Sequence, residues 1–218
     1  MIITKSKDLD CILGFIKNDP VFLIGCSECA TVCNTGGEKE VKEMKEKLEN
    51  KGIEVTGWVI LDPACHFLND KRILKNYKSQ LDKAKKVVVF ACGNGVQTVS
   101  EILLDVDIFS GTDTLFLGEV KRIGNFEKRC NLCGECIQHE FGGFCPVSRC
   151  PKKMLNGPCG GSINGKCEVS PDIDCVWDLI YKNMKEKGRV DELKKLVEPK
   201  DWSKSTEMKR RVLNELQE

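Results

Sequence analysis

Long apolar runs are missing from this sequence: none of its 218 residues lie in a segment that approaches the roughly 18 apolar residues of a membrane span. No membrane span is expected. An excess of charge of one sign is missing too, because 34 Lys and Arg stand against 33 Asp and Glu, a net charge of +1. Phosphate backbones call for a basic excess, so nucleic acid is not expected as the main partner. Nucleotide signatures are also absent. The first glycine-containing loop lacks G-x-G-x-x-G, and the phosphate loop G-x-x-x-x-G-K-S/T occurs nowhere. Paired carboxylates in an acid-base frame, a Ser-His-Asp set and a flavin motif are not found either, so no substrate site is expected on this chain. Histidine is limited to His66 and His139, and both are expected to be ordinary side chains. Met1 to Lys17 includes Asp8 and Asp10 and has no long apolar run, unlike an export signal. The expected location is therefore cytoplasmic, with thiols kept reduced.

Cysteine is what the chain does have, fourteen in all. In a reducing compartment such cysteines are more often metal ligands or redox groups than structural disulfides. Eight of them fall in the 46 residues from Cys130 to Cys175. The opening Cys130-x-x-Cys133-x-x-Cys136, followed later by Cys145-Pro146 and Cys150-Pro151, is close to the ferredoxin ligand run for a 4Fe-4S cluster. The gap from Cys136 to the first Cys-Pro departs from that run, being eight residues where ferredoxins have about three. Eight thiolates suffice for two four-cysteine sites. One takes Cys130, Cys133, Cys136 and a Cys-Pro cysteine, and the other takes the remaining Cys-Pro cysteine with Cys159, Cys167 and Cys175. Spacing alone leaves open which of Cys145 and Cys150 goes where. Zinc is a serious rival at the second set, since four thiolates bind it tetrahedrally and it folds small modules poor in large apolar residues.

The first half of the chain alternates short apolar runs with amphipathic stretches, the pattern of β-α-β units and a parallel sheet. Strands are expected at Val21 to Gly25, Ile53 to Leu61, Val87 to Phe90 and Thr114 to Leu117. Helices are expected at Glu38 to Asn50, where Val41, Met44 and Leu48 share a face, at Asp70 to Lys85 and at Val96 to Leu104. The fold class is therefore α/β: a small Rossmann-like parallel-sheet domain, residues 1–125, followed by a cysteine-rich, loop-rich metal-binding module with C-terminal helices, residues 126–218. Gly118 to Lys128 reads as a polar linker between them. Cys175 to Lys187 reads as a helix with Val176, Leu179, Ile180 and Met184 facing inward, a short helix ends at Val197, and a charged helix runs from Thr206 to Glu218.

The first three strands each run into a cysteine, at Cys26, Cys65 and Cys92. Carboxyl ends of parallel strands line the ligand crevice of open α/β sheets, so these three should converge. Cys29 and Cys33 lie on the first loop, four residues apart. Two of Cys26, Cys29 and Cys33, together with Cys65 and Cys92, would make a third four-thiolate site. Gly25, Gly36, Gly37, Gly93 and Gly95 would let the backbone approach a bulky inorganic ligand and direct N–H groups at its sulfides. Cys11 is expected merely to pack in the core. A dithiol-disulfide site at Cys26-x-x-Cys29 is a further alternative, set against the company of Cys33, Cys65 and Cys92.

Leu155-Asn156-Gly157-Pro158-Cys159-Gly160-Gly161-Ser162, Gly165-Lys166-Cys167-Glu168-Val169 and Cys175-Val176-Trp177 resemble the C-terminal signature of a known family. It is the MetV family, the small iron-sulfur subunit of methylenetetrahydrofolate reductase of acetogenic bacteria. The pieces GCSECATVCNTGGEKEV and ACGNGVQTV are similar to the first half of that subunit. The resemblance implies an oxidoreductase subunit of anaerobes, in one-carbon metabolism and the Wood-Ljungdahl pathway. It would carry electrons to a flavin in a TIM-barrel partner that reduces methylenetetrahydrofolate to methyltetrahydrofolate, and would not hold the folate. The expected cofactors are two or three 4Fe-4S clusters, with zinc as the rival at one C-terminal four-cysteine site. The electron donor could be a ferredoxin, a nicotinamide-oxidising subunit or an electron-bifurcating complex. The alternative from another class is a zinc-stabilised scaffold subunit of a larger enzyme.

Overall fold

The structure is a computed structural model, and it describes residues 1–205. The helix expected from Thr206 to Glu218 lies outside the described residues. The chain divides into two compact units, Met1–Glu127 and Lys128–Glu218.

The first unit begins with β1 (Ile2–Ser6) and α1 (Leu9–Ile16), continues through β2 (Val21–Cys26), α2 (Cys29–Val32) and α3 (Glu38–Glu49), and reaches β3 (Val55–Leu61). Then come α4 (Phe67–Lys75), α5 (Lys78–Leu81), β4 (Lys86–Phe90), α6 (Gly93–Ile102), β5 (Asp107–Ser110), β6 (Thr112–Arg122) and β7 (Asn125–Lys128). Four strands form a sheet in the order β3-β2-β4-β5, and every neighbouring pair is parallel. Successive residues of a strand face opposite sides, and here both sides are apolar. Phe22, Ile24, Val59, Leu61, Val87 and Val89 pack with Leu74 of α4 and Val99 of α6 on one face. Val21, Leu23, Val88 and Phe90 pack with Ile12 and Ile16 of α1 and Val41 and Leu48 of α3 on the other. Helices on both faces are what an all-parallel sheet requires, and they account for the near-continuous apolar strands.

Four expectations for this unit need correction. The fourth parallel strand is Asp107–Ser110, where Ile108 and Phe109 pair with Val87 and Val88. Thr114–Leu117 instead belongs to β6, which runs antiparallel to β1 in a separate sheet ordered β1-β6-β7. Gly118–Lys128 is no linker, because β6 continues to Arg122 and returns as β7. Gly124 in the left-handed region (φ +84°) makes that reversal. The helix expected from Asp70 to Lys85 breaks after Lys75, where the Asn76 and Tyr77 N–H groups bond three residues back, to Ile73 and Leu74. Cys11 is exposed, since α1 gives its inward positions to Ile12 and Ile16.

The second unit is sparse in regular structure. A 3-10 turn at Gln138–Phe141 precedes α7 (Pro146–Arg149), a short hairpin of β8 (Lys166–Cys167) and β9 (Ser170–Asp174), and α8 (Val176–Glu186). The short helix expected to end at Val197 is a 3-10 turn at Val190–Lys194. Phe141, Val176, Trp177, Ile180 and Met184 are its buried core. Trp177 joins that core where Leu179 was expected to, and its ring meets Phe141 edge-on at 5.6 Å. Among the described residues, no helix is long and apolar enough to cross a membrane.

Candidate metal centres

In the first unit the sheet order places the ends of β3, β2 and β4 side by side, and with them Cys65, Cys26 and Cys92. Cys26 is the last residue of β2, and Cys92 is the N-cap of α6. Cys26 is buried, and burial pushes its thiol above the ordinary value. Backbone N–H groups of Ala64, Glu28 and Ala30 oppose that shift, and the charge of Cys29 adds to it. Cys65 is exposed, and the partial desolvation of its thiol still raises it, followed by the charges of Cys92, Cys26 and Cys29. Four sulfurs therefore share one electrostatic neighbourhood: Cys26, Cys29, Cys65 and Cys92. Cys33 is not among the charges that act on Cys65, and its thiol donates to the Ile2 carbonyl at 3.9 Å. The Ile2 N–H in turn donates to the Cys29 sulfur at 3.5 Å.

Close packing requires two of the glycines beside these cysteines, Gly25 and Gly36. A side chain at Gly36 would clash with the Phe90 carbonyl, and one at Gly25 would meet the Gly36 carbonyl at 2.5 Å. The Gly37 N–H is engaged by the Glu40 carboxylate at 3.0 Å, and the Gly93 N–H by the Thr114 hydroxyl at 2.8 Å. N–H groups that reach a sulfur in this unit come from Ile2, Glu28, Ala30, Ala64 and Cys65 itself.

In the second unit Cys130, Cys133, Cys136 and Cys145 line one cavity of about 300 Å³, together with Leu132 and Gly134. Leu132 (φ 54°) and Gly134 (φ 73°) are both left-handed, and they coil the Cys-x-x-Cys-x-x-Cys loop around that space. The Leu132 N–H donates to the Cys130 sulfur at 3.3 Å. Asn131 donates to the Val147 carbonyl at 2.9 Å, and Ser148 to the Arg129 carbonyl at 2.8 Å. These two bonds tie the loop to α7, whose N-cap is Cys145.

Cys150, Cys159, Cys167 and Cys175 line a different and much smaller cavity, about 20 Å³. Cys150 caps the C-terminal end of α7, Cys167 ends β8, and Cys175 caps the N-terminus of α8. The Cys175 N–H bonds the Gly165 carbonyl at 2.8 Å. The Cys159 thiol donates to Glu168 at 3.0 Å, and Lys152 pairs with the same carboxylate. These two donors hold the Glu168 carboxyl below the usual range, Cys159 contributing more. Neither Glu168 nor Lys152 was singled out from the sequence. A side chain at Gly161 would meet the Glu168 carboxylate where it now sits.

Among the described residues no three His, Cys, Asp or Glu side chains form a group closed enough to hold a metal ion. The cysteines surround spaces instead of converging on one point. His139 and His66 do not line either four-cysteine cavity.

Residues 109–203 match the family model described as methylene-tetrahydrofolate reductase C terminal. This part of the chain is similar to that family, and the match covers less than half of the chain. The matched segment contains all eight cysteines of the second unit, whereas Cys26, Cys29, Cys33, Cys65 and Cys92 precede it. No curated protein and no solved structure gives a match.

Proposed function

We propose that the chain is an iron-sulfur electron-transfer subunit of a methylenetetrahydrofolate reductase complex, passing electrons to a flavin in a TIM-barrel partner subunit. The observation that carries this reading is the grouping of the cysteines. Thirteen candidate ligands reduce to three sets of four, with Cys33 left over. The relation of residues 109–203 to methylene-tetrahydrofolate reductase supports the choice of complex. The upstream donor would be a ferredoxin, a nicotinamide-oxidising subunit or an electron-bifurcating complex.

The residues present suit such a group. Thiolates on different irons of one cluster stand around a volume rather than on a point, and Cys130, Cys133, Cys136 and Cys145 do so. A bound 4Fe-4S cluster supplies one-electron transfer without a proton donor or a substrate pocket. Backbone N–H groups aimed at sulfur stabilise added negative charge, and so favour the reduced state. Leu132 supplies one at Cys130 and Ile2 one at Cys29, while Ala64, Glu28 and Ala30 surround Cys26. The burial that raises the Cys26 thiol works against thiolate formation, so metal coordination is what would hold it deprotonated.

Anaerobic purification of the full chain, with iron and acid-labile sulfide analysis and EPR of the reduced protein, tests the proposal. Cys92→Ser should remove the iron and sulfide of one cluster, about four of each per chain, whereas Cys33→Ser should leave the content unchanged. A colourless protein holding zinc and no labile sulfide would end this reading. Co-purification with a flavin-containing protein tests the partner.

A further inference from the structure

We infer that the outer face of α4 is a docking surface for an acidic electron-carrier protein. The class of partner rests on the electron-transfer reading, and the surface itself does not.

The face follows from the helix period. Asp70, Ile73 and Leu74 recur at spacings of three and four and turn inward, Asp70 and Leu74 being buried and Ile73 packing against the core. Phe67, Leu68, Lys71, Arg72 and Lys75 fall between them and are exposed. The only carboxylate of α4, Asp70, therefore lies inside, and the outer face carries three cations and no anion. Among the described residues Lys71 and Lys75 meet no carboxylate. The Lys71 ammonium stands 5.9 Å from the centre of the Phe67 ring, and Arg72 donates to the Asn69 side chain at 2.9 Å. A helix face that only keeps the chain solvated mixes both signs, as α3 does, where Lys39, Lys42 and Lys45 are matched by Glu43, Glu38 and Glu49. On α4 that matching is absent.

The chemistry of the partner follows from what the face lacks. Lys71 and Lys75, four residues apart, repel each other on the free helix, and an anionic surface removes that repulsion. Phe67 and Leu68, 39% and 75% exposed, add an adjoining apolar pair at the start of the helix. Apolar groups rimmed by charge are the anatomy of a contact surface, the first holding the partner and the second steering it. With a net charge of only +1 the whole chain offers little steering field, so a local patch must supply it. Position fits an electron carrier. Phe67 and Leu68 follow the exposed Cys65 by two and three residues, and Cys65 shares its electrostatic neighbourhood with Cys26 and Cys92. A partner seated on α4 is thus beside the sulfurs of the first unit.

The test uses the full chain, purified anaerobically, with an immobilised small acidic ferredoxin as the probe for association and dissociation rates. Wild type should bind with an association rate that falls about tenfold or more between about 20 mM and about 200 mM salt. The triple variant Lys71→Glu, Arg72→Glu, Lys75→Glu should associate at least about tenfold more slowly at low salt and keep its iron and sulfide. Leu68→Ser should dissociate about three- to tenfold faster with its association rate unchanged. Lys39→Glu, Lys42→Glu, Lys45→Glu makes the same change in net charge on α3, which packs against the opposite face of the sheet, and should bind as wild type does. Equal loss of binding in the α3 and α4 variants makes the effect one of net charge and overturns the inference. So does loss of a co-purifying flavin-containing protein in the α4 variant with ferredoxin binding intact, which gives the face to that other partner. Wild type that contains iron and sulfide and does not bind the ferredoxin overturns the inference and leaves electron transfer standing. Wild type without iron or labile sulfide overturns the electron-transfer reading, and the class of partner with it.

Discussion

Asp70 should make the first unit less stable as pH rises. It lies on α4, fully buried, and neither of its carboxylate oxygens has a hydrogen-bond partner in normal geometry. Burial pushes its pKa from 3.8 to about 6, opposed by the backbone and the charge of His66. A carboxyl whose folded pKa is raised costs nothing while protonated in both states. The cost appears as pH climbs past the unfolded value and is complete above the folded one. At about 1.36 kcal/mol per tenfold change in proton affinity, the penalty is about 1.5 kcal/mol at pH 5 and about 3 kcal/mol at pH 8. Asp70→Asn removes the ionisation while keeping the shape. Its amide also lacks partners, but that cost does not change with pH. Urea unfolding followed by far-UV circular dichroism, under anaerobic conditions at pH 5 and pH 8, should show the variant gaining about 1.5 kcal/mol more over wild type at the higher pH. A difference that is flat between the two would falsify the picture of a carboxylate buried without partners.

Gly36→Ala should destabilise the first unit by about 1–3 kcal/mol or prevent its folding, because the added methyl strikes the Phe90 carbonyl; the shift in the urea midpoint measures it. Ile180→Ala removes a fully buried side chain from a core of only five buried residues, and should cost about 2–5 kcal/mol, read as lost amide protection across α8 by hydrogen exchange. Metal removal by a strong chelator under reducing conditions should expose the second unit to proteolysis between Cys130 and Cys175 and spare the four-stranded sheet, whose two apolar faces are complete without metal. Equal proteolysis of both units would contradict that asymmetry.

The parallel sheet was readable because VFLIG, VVVF and VILDPA are apolar on both faces, a pattern that fully covered strands require. The same cue misled at Thr114–Leu117. That segment is as apolar as Asp107–Ser110, and only pairing partners distinguish them: β5 meets β4, while β6 meets β1. β1 itself, Ile2–Ser6, is too short and mixed to announce a strand before its partner is known. The convergence of Cys26, Cys65 and Cys92 was legible from strand-loop topology. The setting of Cys29 and Cys33 was not, since both sulfurs meet the backbone of Ile2 on β1. Glu168 was likewise invisible as more than one letter of a motif, because its partners Cys159 and Lys152 are brought to it by the hairpin.

The gap of eight residues between Cys136 and Cys145 looked like a weakness in the ferredoxin pattern, and its structure gives it a use. A ferredoxin run with three residues before its last cysteine can only wrap its cluster. Here the longer segment forms the 3-10 turn Gln138–Phe141, which buries Phe141 against Trp177. Gly142 and Gly143, both left-handed at φ 63° and 99°, then reverse the chain towards Cys145. A side chain at Gly142 would meet the Asn183 side chain on α8, so the reversal is pressed against that helix. The insertion thus anchors the first cysteine set to the same small core that α8 builds, and α8 begins at Cys175 of the second set. Both cysteine sets are therefore tied to one small core. It follows that shortening residues 137–143 to a ferredoxin-like spacing would preserve the order of the cysteines and still loosen both cysteine sets, because the buried Phe141 would be lost from the core that it forms with Trp177 and Ile180.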